Sequence, residues 1–259
     1  MRSHVPAYEL VEAGDLPHAL SLLNEEYRPI AGGTDVMVLF EAGKLAHKKW
    51  MSIRGLAELR TIEATPEHVT MGALTTYTDV RRNTVLAAEF PLMTQAAALT
   101  GGIATQNRGT IGGNIVNASP AADTPPALLV YDAEVELTSC RGSRWVAYTQ
   151  FHKAYKVMDL ASDELLTRVR LPRRFSGWRH FYRKVGTRRA QAISKVCFAG
   201  LRRGDEIRVG LGSVGPIAIF LADSNVAAAI APIDDMRSTA RYRMQVAKNL
   251  MEEFLHVST

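Results

Sequence analysis

Hydrophobic and polar positions alternate over short distances and change period often, which predicts many short elements rather than a few long ones. In "DLPHALSLLNEE" (15–26), Ala19, Leu20, Leu22 and Leu23 supply one apolar face. Asp15 is placed to cap and Pro17 suits a first turn, so a helix is expected. "YRPIAGGTDVMVLF" predicts a short strand, a Gly-Gly turn and a second apolar segment, and "WMSIRGLAEL" a strand ending at a turn or short helix. "HVTMGALTTYTDVRRN" alternates as a strand and passes into a helix with Thr78 or Asp79 near its start. "LAAEFPLMTQAAALTGG" predicts one Ala-rich helix closed by Gly101-Gly102.

Further on, "AEVELTSC" and "RWVAYTQF" predict a hairpin around Arg141-Gly142-Ser143, and "ELLTRVRLP" a strand ending at Pro172. The break at "RRFSGW" is the expected domain boundary. It divides the chain into residues 1–173, with subdomains of about 1–55 and 56–173, and residues 174–259. Past it come several strands and a terminal helix in which Tyr242, Val246, Leu250 and Phe254 recur at helical spacing. Short mixed elements without regular βαβ alternation make the fold class α+β.

Composition narrows the picture. The chain has 259 residues, 47% hydrophobic and 22% charged, as a globular protein does. Much of its net charge of +5 gathers in "RVRLPRRFSGWRHFYRKVGTRR" (168–189). That run reads either as a solvated sheet edge or as a grip for an anionic partner; with no nucleic-acid motif beside it, no nucleic-acid partner is expected. Cys140 and Cys197 stand far apart without CxxC or Cys/His spacing, so the chain is expected to hold neither an iron–sulfur cluster nor structural zinc. Two lone thiols, an N-terminus without an apolar signal core, and a longest apolar stretch of "VGPIAIFLA" (214–222) predict a cytoplasmic protein with no membrane span.

Catalytic constellations are sparse. The histidines (4, 18, 47, 68, 152, 180 and 256) form no HExxH pattern, no G-x-S-x-G elbow occurs, and the acidic residues show no obvious pair. Any chemistry is therefore expected to reside in a cofactor, with no catalytic residue and no metal ligand on this chain.

Two glycine pairs suggest where. "IAGGTDVM" (30–37) and "TIGGNIV" (110–116) each set two glycines after a β-branched or small residue and before a small polar one. Glycine permits positive φ and removes the Cβ, so successive N–H groups can converge on an anion. Thr34 and Thr110 add hydroxyls and Asn114 an amide. Each pair alone reads as a tight turn; together they point to a shared diphosphate. Neither fits a P-loop or a G-x-G-x-x-G fingerprint.

"AGGTD", then "QNRGTIGGNIVNASPAADTPPALLVYDAEVEL", "FYRKVGTRRAQAISKV" and "PIDDMRSTARYRMQVAKNLM", resemble the FAD-binding (medium) subunit of the molybdenum hydroxylases, the xanthine dehydrogenase and carbon monoxide dehydrogenase type. The likeness covers nearly the whole chain, and the TIGGN–ASPxxD run is its most discriminating part. It implies a vanillyl-alcohol-oxidase-type FAD-binding fold of two α/β subdomains. A C-terminal α+β domain with a small antiparallel sheet would pack beside them.

By position, the resemblance puts a first diphosphate loop on Pro29, Ile30, Ala31, Gly32, Gly33, Thr34, Asp35 and Val36, and a second on Thr110, Ile111, Gly112, Gly113 and Asn114. It places Asp123 at the adenosine ribose or diphosphate edge, Thr100 where relatives touch the cofactor, some with an aromatic ring, and Leu166 and Lys184 beside the isoalloxazine. FAD would be held non-covalently, since no His or Cys stands beside either loop. Molybdopterin and two [2Fe–2S] clusters would reside on a large and a small partner subunit, in a dimer of heterotrimers. FAD would pass electrons to NAD⁺, oxygen or a quinone.

Two departures stand out: the segment "IAIFLADSNVAAAIAPIDDM" is shorter than the resemblance leads one to expect, and no cysteine-bearing insertion for a further [4Fe–4S] cluster is present. Two other functions fit the same residues: a self-contained flavin oxidase or reductase acting on a small molecule, and a flavin-free binding or assembly protein. The intact glycines argue against the second.

Overall fold

A computed structural model describes residues 7–256; His4, among the histidines read above, lies outside them. The chain opens with a three-stranded parallel sheet of order β1-β3-β2, built from β1 (Glu9–Glu12), β2 (Arg28–Ile30) and β3 (Lys49–Ser52). Helix α1 (Leu16–Asn24) connects β1 to β2. Asp15 caps it by accepting from His18 N, Pro17 sits in its first turn, and Ala19, Leu20, Leu22 and Leu23 are buried as their spacing requires. The apolar run after the first glycine pair is a short helix, α2 (Val36–Glu41).

The next sheet has five strands in the order β4-β5-β10-β6-β7 and is antiparallel throughout: β4 (Ile62–Ala64), β5 (His68–Gly72), β6 (Glu134–Ser139), β7 (Gly142–Ala147) and β10 (Leu165–Pro172). Helices α3 (Tyr77–Arg82), α4 (Thr84–Glu89), α5 (Pro91–Leu99), α6 (Ile103–Gln106), α7 (Ile111–Asn117) and α8 (Pro125–Val130) fill the long connection between β5 and β6. A helical turn, α9 (Tyr148–Phe151), and a small ribbon of β8 (His152–Ala154) with β9 (Val157–Met158) join β7 to β10.

The structure sharpens one local expectation and corrects two. Helix α3 begins at Tyr77, with Thr78 and Asp79 near its start as expected, and the cap is Thr76. Thr76 Oγ1 accepts from Asp79 N at 3.1 Å and the Asp79 carboxylate accepts from Thr76 N at 2.9 Å, a reciprocal capping box. The single Ala-rich helix is two, because Pro91 has no N–H to continue the ladder and starts α5 after Phe90 closes α4. The second strand of the expected hairpin stops at Ala147, where the chain turns into α9.

The third sheet, β11-β12-β13-β14, is antiparallel and comprises β11 (Arg179–Val185), β12 (Val196–Arg203), β13 (Glu206–Gly212) and β14 (Ile219–Leu221). Its β12 is buried on both faces. Val196 and Phe198 face a core shared with helices α10 (Val226–Ala229) and α11 (Ala240–His256), whereas Cys197, Ala199 and Leu201 join the core of the five-stranded sheet. On α11 the buried positions are Arg243, Ala247, Leu250, Met251 and Phe254, so the stripe read from sequence is rotated: Tyr242 is exposed. Gly200 lets the Phe254 ring approach the sheet, since a Cβ there would lie 2.7 Å from the ring. No helix among the described residues is long and apolar enough to cross a membrane.

Candidate functional site: a cavity between two glycine segments

The first glycine segment leaves β2, whose Ile30 carbonyl accepts from Ile53 N at 3.1 Å, and turns at Gly33 (φ 75°) into α2. Only glycine adopts that φ without strain. Met37 N donates to Gly33 O at 2.9 Å, starting the helix, and the Asp35 side chain makes no cap. Among the described residues, the backbone N–H groups of Gly32, Gly33, Thr34 and Asp35 find no acceptor. Such a row of unpartnered N–H groups at a helix entrance is a cradle for an anion.

The second segment differs from the turn expected of it. Thr110 caps α7 through its hydroxyl, which accepts from Gly113 N at 3.1 Å, and both glycines lie in the first helical turn. Its N–H groups already have partners: Ile111 N donates to Thr75 O and Gly112 N to Ala73 O, each at 2.9 Å, and Asn114 N to Thr110 O at 3.0 Å. It therefore offers side chains and close approach, not a second row of backbone donors. Gly112 packs against the sheet, where a Cβ would lie 2.6 Å from that of Ala73. Gly113 is exposed, and Thr124 Oγ1 holds Asn114 by donating to its Oδ1.

These segments, far apart in sequence, touch. A Cβ on Gly32 would lie 1.9 Å from the Arg108 carbonyl oxygen, and Arg108 Nε donates to Gly32 O at 3.2 Å. Between them runs a cavity of about 580 Å³, lined by Pro29, Ala31, Gly32, Gly33, Thr34, Asp35, Val36, Thr100, Thr110, Gly112, Gly113, Asn114 and Leu166 of the expected set. Ile30 and Ile111 are not in the lining: Ile30 lies beneath Gly33 and Ile111 is fully buried in the core. No histidine or cysteine lines it.

Asp123 and Lys184 lie off the lining and face each other. Lys184 Nζ donates to Asp123 Oδ2 at 2.7 Å and to Leu99 O at 2.8 Å, and Ser194 Oγ donates to Asp123 Oδ1 at 2.7 Å. Both side chains are 7% exposed. Burial pushes the Asp123 carboxyl up, against the pull of the Lys184 ammonium and the Ser194 hydroxyl. The pair ties the chain after α7 to β11, directly behind the Leu99–Thr100 edge of the cavity.

Sequence reasoning misses one wall altogether. Met158, Leu160, Ala161, Ser162, Glu164 and Leu165 line the cavity beside Leu166, as do Tyr77, Gly109 and Asn117. Burial pushes the Tyr77 phenol far above its ordinary value, so it stays neutral. Hydrogen bonding from Arg144 holds Glu164 below the usual carboxylate range despite its burial. Among the described residues no cluster of His, Cys, Asp and Glu is arranged to bind a metal ion.

Residues 6–174 match the family described as the FAD binding domain in molybdopterin dehydrogenase. The chain belongs to this family. The glyceraldehyde dehydrogenase medium chain of Sulfolobus acidocaldarius is 31% identical over 279 aligned positions, covering 98% of this chain and 99% of the relative. The putative xanthine dehydrogenase FAD-binding subunit of Escherichia coli is 31% identical over 233 positions, covering 86% and 79%. The fold is shared with a chain of carbon monoxide dehydrogenase from Hydrogenophaga pseudoflava, at a TM-score of 0.90 and 23% identity, covering 97% of this chain and 96% of that one. As a member of this family, the chain is an FAD-binding component of an oxidoreductase.

The residues present fit that cofactor. A diphosphate needs several donors at a surface without side chains in the way, and Gly32–Asp35 supply unpartnered N–H groups beside the exposed Gly113. The wall formed by Leu160, Leu165, Leu166 and Tyr77 is apolar and aromatic, as a flat ring system requires.

Proposed function

We propose that FAD lies non-covalently in this cavity and that the chain is the FAD-carrying electron-transfer subunit of a heteromeric molybdenum hydroxylase. The unpartnered N–H groups of Gly32 to Asp35, in the same cavity lining as Gly113, carry the reading. They receive the diphosphate, the Thr110 hydroxyl and Asn114 amide bind its far side, and Leu166 packs on the isoalloxazine. Thr100 takes the position where a larger side chain would stack, leaving that face to its neighbours. Asp123 and Lys184 support this edge from behind, through Leu99 O.

When bound, the flavin accepts and releases electrons singly or in pairs. This chain's residues hold and orient it, and the apolar wall keeps water from the ring. Electrons would arrive from [2Fe–2S] clusters of a small subunit, supplied by a molybdopterin centre on a large one, and leave to NAD⁺, oxygen or a quinone. Residues 1–173 would form the FAD-binding unit and 174–259 the C-terminal one, with the whole assembled as a dimer of heterotrimers.

The test is purification of the chain, alone and with its partners. A flavin absorption spectrum, with FAD released on denaturation, is expected; a colourless chain that takes up no FAD on reconstitution refutes the reading. Co-purification with a molybdopterin subunit and a [2Fe–2S] subunit is expected, and flavin-dependent turnover of a small molecule by the isolated chain would favour the self-contained enzyme instead.

A further inference from the structure

The connection from β9 to β10, residues 159–164, forms a cavity wall with no secondary structure of its own. It is held from outside. Arg144, on β7, grips Glu164 with both arms of its guanidinium, Nε to Oε1 at 2.7 Å and Nη2 to Oε2 at 2.8 Å. The same side chain reaches Asp159 Oδ2 at 3.0 Å and the Asp159 carbonyl at 3.2 Å. Lys153 donates to the other oxygen of Asp159 and Arg141 to Asp163, so each carboxylate of the segment has a cation. Glu164 is buried and Arg144 half-exposed.

Charge gives the fork its consequence. The charged residues lining the cavity are Arg28, Asp35 and Glu164, one cation against two carboxylates. A diphosphate brings further negative charge into that lining. An unpaired carboxylate on the lining repels an anion bound in the same cavity, the more so the less water reaches it, unless a partner neutralises it. Arg144 does not line the cavity, yet it is what pairs with Glu164.

We infer that Arg144 is a positioning residue for the cofactor: by neutralising Glu164 and fixing residues 159–164, it sets how tightly the cavity holds a diphosphate-bearing flavin. This rests on the FAD reading above. A planar bidentate fork is required, which lysine cannot supply.

The test is titration of the full chain with FAD, followed by flavin fluorescence, in wild type, Arg144→Gln, Arg144→Lys, Glu164→Gln and the Arg144→Gln/Glu164→Gln double variant. Arg144→Gln is expected to weaken FAD at least tenfold and Arg144→Lys to recover little. Glu164→Gln is expected to bind as tightly as wild type or tighter, and the double variant to regain most of the lost affinity. That rescue is a readout that damage to the fold would not give. Unchanged FAD affinity in Arg144→Gln, or a double variant as weak as Arg144→Gln, overturns the inference while leaving the FAD reading in place. A wild-type chain that takes no FAD overturns both.

Discussion

Gly32 meets the backbone carbonyl of Arg108 with no room for a side chain between them. This contact joins the parallel three-stranded sheet to the α6–α7 connection and so brings both glycine segments to one cavity. Gly32 thus serves close approach of two backbones, while Gly33, one residue on, serves a positive φ.

Gly32→Ala should separate the two segments. The added Cβ would have to sit 1.9 Å from the Arg108 oxygen, so backbone must move on one side or the other. Overpacking of this kind costs about 1–3 kcal/mol. A lowered melting temperature and loss of FAD binding are expected together. A Gly32→Ala variant that melts and binds FAD as wild type does would show that the contact is not needed.

The two glycines of the second segment should behave differently. Gly113→Val adds bulk at an exposed lining position and disturbs the Thr110 cap, a loss of about 1 kcal/mol, so the chain should stay folded but expel FAD. Gly112→Ala pushes a methyl into Ala73 inside the core and should destabilise the chain even without flavin. Circular dichroism melts and flavin occupancy measured on both variants separate the two effects; full flavin occupancy in Gly113→Val would mean the diphosphate lies elsewhere.

The contrast also shows what is legible in the sequence. The motif at Thr110–Asn114 is visible there, but its helical state is not, because paired glycines disfavour a helix. Burial of Ile111 and Ile115 and the Thr110 cap override that preference. The α1 helix is legible down to its cap, since Asp15, Pro17 and the leucine spacing all agree. The 158–165 wall is invisible: its carboxylates show no obvious pair in the sequence, because their partners Arg141, Arg144 and Lys153 lie elsewhere along the chain. Asp123 stands out in the sequence, but Lys184 does not stand out as its partner, 61 residues away.

Lys184→Met would strand the Asp123 carboxylate in a buried site. Removing one partner of a buried pair costs about 3–5 kcal/mol, whereas replacing both is far milder. The single variant should shift the urea unfolding midpoint sharply downward, and Asp123→Asn/Lys184→Met should recover most of the shift. Equal losses in the single and double variants would argue that the two side chains contribute separately rather than as a pair.

Asp235 gives a pH dependence of known sign at the entrance to α11. Partial burial pushes its carboxyl up, but the N–H groups of Arg237 and Ser238 and the Arg243 guanidinium outweigh it and bring the carboxyl down to about 2. Arg243 in turn donates to the carbonyls of Lys195 and Ser213, so Asp235 anchors the helix to the third sheet. A carboxyl lowered on folding adds stability above its unfolded pKa of about 3.9, and loses that contribution as pH falls toward its folded value. A drop of this size corresponds to no more than about 2.6 kcal/mol. Asp235→Asn should therefore be less stable than wild type at pH 7, with the difference shrinking as pH falls from about 4 toward 2. Denaturant unfolding across that range checks it, and a wild-type-to-variant difference that stays constant with pH would mean that Asp235 does not titrate low in the folded chain.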